Sequence, residues 1–337
     1  MAEDSGQVLA RARVIADEVL FPAASGVDRA DRVPATLLDL LADAGCYGMA
    51  APADAGGLGL SWPEAAALVE TLADGCLTTA FVWLQHHSPV RAVADSPHPE
   101  LRDRWLAPLA RGERRAGIAL AGLRVPDAPM RVTPVDGGYL LDGRAPWVTG
   151  WGMIDTLYTA ALDASGDVHF LLVDAVASAT LQVRPLELVA VRASATCDVH
   201  FERHFVPADR LVDVVPYADW SRADSSGSAT NGFLAIGVAA RCVRLLPPGA
   251  VAETLSAQVD AARGGLLGAD SASNPAARAE ASAVAARAAA ALAVQTGARA
   301  VLLEHDAQRL ARESVFLLVF GNRPAIRDAL LTRLTHP

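Results

Sequence analysis

The chain has 337 residues, a net charge of −9 and a hydrophobic fraction of 52%. That length allows two or three domains, and that apolar share excludes a disordered chain. All 29 basic residues are arginine and none form a block, so the acidic balance argues against broad binding to nucleic acid or to an anionic membrane surface.

The first residues, Met1–Asp4, are acidic and lack the basic and apolar regions of a secretory leader. A cytoplasmic protein is expected. Residues 5–22 carry Val8, Leu9, Val14, Ile15, Val19 and Leu20 at helical spacing. Pro34 marks the start of a second helix, which continues through Leu37–Leu41 and ends at Gly45 and Gly48. The stretch Asp54–Ser61 (DAGGLGLS) holds too many glycines for a regular helix. Ser61 and Glu64 form a capping-box pattern for a helix over Ala65–Leu72. Further helices are expected at Thr78–His86 and Glu100–Ala110. His86 and His87 are adjacent on a helix, so they point in different directions and do not suit one metal ion. Cys46, Cys76, Cys197 and Cys242 are widely spaced and read as reduced thiols acting as small hydrophobes.

From about Gly117 to Leu211 the pattern changes to short apolar runs broken by Gly, Pro and Asp. Gly137 and Gly138 signal a hairpin between Val132–Val135 and Tyr139–Leu141, and Asp163–Asp167 signals a second turn. Five to eight short strands fit, enough for a small barrel or sandwich. His200 and His204 read as surface residues. Asp209–Gly227 reads as an irregular connector. Helical patterning then resumes at Phe233, with breaks at Pro247–Gly249, Gly264–Pro275 and Gly321–Pro324. The expected helices cover about 229–246, 250–263, 276–297, 299–319 and 323–334, which make a bundle. The alanine-rich run Ala281–Ala293 includes Ser282 and Arg287 and reads as a packed helix, not a membrane span. The fold class expected is α+β: a helical domain over 1–115, a β-barrel or β-sandwich domain over 116–215, and a four-helix bundle over 216–337. The signatures of a serine hydrolase elbow, a P-loop and a dinucleotide-binding turn are missing.

Helical domain, β-domain, helical bundle is the order of the acyl-CoA dehydrogenase family, and several segments resemble that family. Asp54–Ser61 resembles its loop between N-terminal helices. Tyr139–Thr149 (YLLDGRAPWVT) resembles its "NG-x-K-x-[WF]-I-[TS]" strand pair. Arg192–Thr196 (RASAT) with Val199–Leu211 resembles the "R-x-S-x-T … V-x-F-[DE]" stretch that closes the β-domain. Ala235–Ala240 resembles the first bundle helix, and Arg309–Glu313 the segment before the last helices.

The resemblance implies an FAD enzyme. In that family a carboxylate removes an α-proton from an acyl-CoA while hydride leaves Cβ for the flavin. Trp147, Val148 and Thr149 match the positions that pack on the flavin ring. Leu120 lies on the strand Ile118–Gly122 that leads to the phosphate loop. That loop here is only Leu123–Pro126, with the family's Glu, Gly-Ser pair and Asp missing. Arg124 there could reach a phosphate or be a solvated loop residue. Arg263 is the one substitute for the arginine that reaches the FAD pyrophosphate across a dimer interface. Gly297 is what remains of a glycine pair beside the adenosine.

The family's catalytic glutamate falls on Gly321, and the position used by other branches falls on Thr230, followed by Asn231. Neither place carries a carboxylate, so the catalytic group is unassigned. Glu304 and Glu313 are expected on solvated faces or in ion pairs. Three readings remain open. One is α,β-oxidation of an acyl thioester by an atypical enzyme. The second is a noncatalytic subunit of a heteromeric acyl-CoA dehydrogenase. The third is a flavin-dependent monooxygenase or tailoring enzyme on the same fold. Expected partners are an acyl-CoA or other acyl thioester and a homodimer, homotetramer or heteromer with a catalytic paralogue.

Overall fold

The computed structural model describes residues 5–125, 129–225 and 227–335. The expectations resting on Met1–Asp4 and Pro126 lie outside those residues. The chain opens with α1 (Ser5–Ile15), a π-helical turn (Ala16–Leu20) and α2 (Phe21–Arg29). Sequence spacing ended this helix at residue 22, but Pro22 sits in the first turn of α2, where a missing N–H is tolerated. The helices α3 (Ala35–Asp43), α4 (Trp62–Gly75), α5 (Leu77–Gln85), α6 (His87–Ala94) and α7 (Pro99–Ala110) follow. The capping box of Ser61 and Glu64 is formed at the start of α4. Helix α6 was not legible from spacing, because Pro89 reads as a breaker although it occupies a first turn.

The strands are β1 (Ala116–Ala119), β2 (Arg131–Val135), β3 (Gly138–Val148), β4 (Thr156–Leu162), β5 (Asp167–Asp174), β6 (Leu181–Pro185), β7 (Cys197–Pro207) and β8 (Leu211–Pro216). They form one mixed sheet in the order β6-β7-β3-β2-β4-β5-β8, with β1 added in parallel to β4. Both expected turns are present, at Gly137 between β2 and β3 and at Asp163–Asp167 between β4 and β5.

Strand alternation divides the buried side chains between two clusters. Tyr158, Ala160, Val168, Phe170 and Leu172 face α6 and α7. Leu157, Ala161, Leu171 and Val173 face the curled far side of the sheet. Burial on both faces explains why β4 reads as a continuous apolar run. The stretch expected to be irregular instead holds β8, which pairs with β5, and α8 (Tyr217–Ser225).

The remaining helices are α9 (Gly232–Leu245), α10 (Ala250–Leu267), α11 (Asn274–Thr296), α12 (Asp306–Val319) and α13 (Pro324–Thr335). The single helix expected over 299–319 is a 3-10 turn at Gly297–Val301 followed by α12. Gly297, at φ +67°, ends α11, and His305 accepts the Ala307 N–H to start α12.

The first and last helices share one core. Val8, Leu20, Leu68, Leu72 and Trp83 pack with Phe233, Ile236, Val284 and Leu310 in a single cluster. Helix α4 lies directly on α9, and a Cβ at Gly237 would strike the Glu70 carbonyl and come within 2.8 Å of the Asp74 amide nitrogen. Buried Asp74 clamps that crossing. It pairs with Arg13 on α1 and with Arg241 and Arg244 on α9, the last two at 2.7 Å. Asp17 in the π-helical turn joins the same two arginines.

Candidate functional site

The site begins where β3 leaves the sheet. Its pairing with β7 slips between Ala145 and Val148, so an extra residue bulges out. Trp147 occupies that bulge at φ +61° and is 63% exposed. Val148 returns to the sheet opposite Cys197 and is buried. Thr149 is buried too, with Oγ1 3.2 Å from Thr196 Oγ1, which is 2.7 Å from Ser194 Oγ. The facing turn carries Val191 at φ +50° and Ala195 at φ +46°. The Gly150 N–H ties the two segments by donating to the Ser194 carbonyl at 2.9 Å.

Three of the four left-handed non-glycine residues among the described residues are therefore in one place. Each costs about 1–3 kcal/mol and persists only where packing enforces it, a pattern that marks ligand-binding regions. Strand β1 runs close beneath: a Cβ at Gly117 would lie 3.1 Å from the Thr149 carbonyl oxygen. Leu120 follows β1 and packs, partly buried, against the helix-facing cluster.

Gly321, one position matched to the family base, meets Asn231, the residue after the other, although 90 residues part the two in sequence. Gly321 turns at φ +62°, and a Cβ there would stand 3.2 Å from Asn231 Nδ2 and 3.5 Å from Arg278 Nη2. Asp224, at the end of α8, joins this half to the first. Its carboxylate accepts from Arg124 at 2.8 and 2.5 Å and from Arg323 at 2.8 Å. Arg124 lies four residues after Leu120 and Arg323 two after Gly321. Burial raises the Asp224 pKa, but hydrogen bonds from Arg124 and Arg323 outweigh it and hold it below the usual carboxylate value.

Other expected residues are committed elsewhere. Arg124 is no free loop cation: besides Asp224 it covers the Trp220 ring at 5.8 Å. Arg263 donates to Glu70 at 2.8 and 2.7 Å and also holds Asp260. Gly297 stands apart, with no heavy atom within 4 Å of a Cβ placed on it. Glu304 is exposed. Glu313 is buried against Arg309 at 2.9 Å, and burial raises its pKa. His200 is exposed, whereas His204 is half-buried and bonded to Thr180 Oγ1 at 2.9 Å. A cleft of ≈ 1190 Å³ opens between α3, α7 and the loop Gly152–Asp155. Both arginines that line it are already paired, Arg115 with Asp39 and Arg111 with Glu113.

Sequence reasoning missed Arg278 and Asp224. Each is one of many like residues until the fold places it. Ser194 and Thr196 did carry a signal, since they lie inside the R-x-S-x-T match.

Helical domain, mixed sheet and helical region together have the fold of the acyl-CoA dehydrogenases. The glutaryl-CoA dehydrogenase of Mycobacterium smegmatis, solved in complex with FADH2, superposes with a TM-score of 0.83 at 15% identity, over 100% of this chain and 96% of that one. Residues 2–113 match the acyl-CoA dehydrogenase N-terminal domain family. The chain is 29% identical over 198 residues to benzylmalonyl-CoA dehydrogenase of Aromatoleum aromaticum, covering 57% of this chain and 52% of that relative. It is 26% identical over 248 residues to 3-sulfinopropanoyl-CoA desulfinase of Variovorax paradoxus, covering 68% and 62%. Residues 2–113 thus belong with the acyl-CoA dehydrogenase N-terminal domains, and the whole chain has the acyl-CoA dehydrogenase fold. It spans about half the length of the curated relatives it matches.

Proposed function

We propose that this chain is an FAD-binding oxidoreductase of its family that acts on an acyl thioester without a protein carboxylate at position 321 or 230. The observation that carries this reading is the strained bulge at Trp147, two residues before the buried Thr149 whose hydroxyl meets those of Thr196 and Ser194. An exposed flat indole beside buried hydroxyls suits a planar heterocycle with polar edges. Trp147, Val148 and Thr149 would hold the ring, with Leu120 after β1 as a fourth candidate from the resemblance. Bound FAD supplies a two-electron acceptor. The chain's own part is to position the ring, exclude water and orient the thioester.

Loss of a general base costs about 10²–10⁴-fold in rate. Proton removal then depends on another group, and a second chain is one source. Arg124 and Arg263, the candidates for phosphate contact, are already neutralised by Asp224 and by Glu70 and Asp260. The outer face of the helical region also carries exposed Val294, Val301, Leu303 and Val319. Both observations favour an assembly in which another copy or a paralogue completes the site.

The test is the visible absorbance of the purified full chain, with and without FAD. A bound flavin spectrum and a rise in Tm with FAD are expected. Trp147→Ala should weaken FAD binding by roughly two- to tenfold, the worth of one aromatic contact. Anaerobic bleaching by an acyl-CoA identifies a dehydrogenase. A colourless protein that FAD does not stabilise sinks the reading.

A further inference from the structure

Arg278 sits on the first turns of α11 and is only 2% exposed. A guanidinium taken out of water is costly unless a carboxylate answers it. Among the described residues none does. Nη1 donates to the Ser228 carbonyl at 2.6 Å and Nη2 to the Phe320 carbonyl at 3.2 Å, while Nε has no hydrogen-bond partner. The neighbouring charge is of the same sign: burial, with Arg323 adding to it, pushes the Arg278 pKa down to about 10.

Every other strongly buried arginine here has an acidic partner. Arg241 has Asp74 and Asp17, and Arg309 has Asp306 and Glu313. Arg278 is the exception, and it lies beside Gly321, where the chain has no side chain at all. A Cβ at that place would be 3.5 Å from Arg278 Nη2 and 3.2 Å from Asn231 Nδ2, and the Asn231 amide has no protein partner among the described residues. The guanidinium and the Asn231 amide thus lie on the same side of Gly321, and neither meets a carboxylate of the protein among the described residues.

We propose that Arg278 and Asn231, facing Gly321, bind a carboxylate supplied by the ligand, so that the preferred substrate is an acyl thioester whose acyl chain ends in a second carboxylate. The identification of the ligand as an acyl thioester rests on the function proposed above; the carboxylate site itself rests on Arg278. A planar guanidinium and an amide both donate in geometry suited to a carboxylate's two oxygens. Binding gives the buried cation the counter-charge that the fold does not provide.

The experiment uses the full chain with succinate, its neutral counterpart succinamide, succinyl-CoA and butyryl-CoA. Succinate should raise Tm with concentration while succinamide does not. Succinyl-CoA should bind at least about tenfold more tightly than butyryl-CoA by calorimetry. Arg278→Met should erase both differences. Because it removes an unanswered buried charge, its Tm without ligand should equal or exceed that of the parent. Asn231→Asp, nearly isosteric, places a carboxylate beside the guanidinium and should expel succinate even if the Met variant folds badly.

A succinate response that survives both variants, or no response in the parent, overturns the site. A succinate response lost in both variants, with no CoA ester bound, upholds the site and overturns the acyl-thioester reading. Succinate binding through Arg278 with equal affinity for the two CoA esters makes a free acid the ligand and overturns the substrate class.

Discussion

His86 shows how a residue that invites a catalytic reading is absorbed by architecture. The Ala116 N–H donates to its Nδ1 at 3.0 Å, so the other nitrogen carries the proton and donates to the Leu109 carbonyl at 3.0 Å. The ring joins the end of α7 to the start of β1 and is neutral. Burial depresses its pKa to about 4, against the 6.5 of a free imidazole. The buried neighbour His87 is depressed in the same direction, first by burial. The unfolded chain then binds protons that the folded one refuses. Stability should be full above the free imidazole value and should fall as pH drops from 6.5 towards 4, by about 3 kcal/mol for His86 alone. Urea unfolding across that window checks it, and a flat profile contradicts it. At this scale the sequence offered Trp147 and Thr149 as candidates, because both lie within one short motif. It hid Arg278, because nothing local separates a buried arginine from 28 others. Glu313 was hidden likewise: its i, i+4 spacing from Arg309 reads as a surface pair, and only the packing of α12 buries it.

At the level of elements, local signals were reliable where the physics was local. The Ser61–Glu64 capping box and the Gly137 turn need only neighbours within four residues, and both formed as read. Helix α6, strand β8 and helix α8 did not announce themselves. Each depends on partners distant in sequence, as β8 depends on β5. Close packing of α4 on α9 is another such relation, and Gly237 permits it. Gly237→Ala would force a methyl group against the Glu70 carbonyl, so the two helices must separate. A loss of about 1–3 kcal/mol is expected in denaturant unfolding. The helix propensity gained by alanine, about 1 kcal/mol, acts the other way. An unchanged or higher midpoint means that the crossing is looser than described.

Across the whole molecule, Asp74 joins α1, α4 and α9 through three arginines. Asp74→Ala would leave buried Arg241 with only Asp17, which is itself partly exposed. Removing one partner of a buried charge cluster costs about 3–5 kcal/mol, and a Tm lowered by several degrees is expected in calorimetry. Arg13→Ala, which removes a half-exposed member, should cost far less. The three-part order could be read from the sequence because helical and strand periods differ, and the resemblance to a family came from motifs such as Tyr139–Thr149. That the two helical parts fuse could not, since no pattern says which helix meets which. The fusion has a consequence in time. As the chain emerges from the ribosome, α4 and α5 expose Leu68, Leu72 and Trp83 long before Phe233, Ile236 and Val284 exist to cover them. The β-sheet, complete by residue 216, can close first. The opening helices must wait for the closing ones, and that interval is when this chain is most exposed to aggregation and most in need of a chaperone.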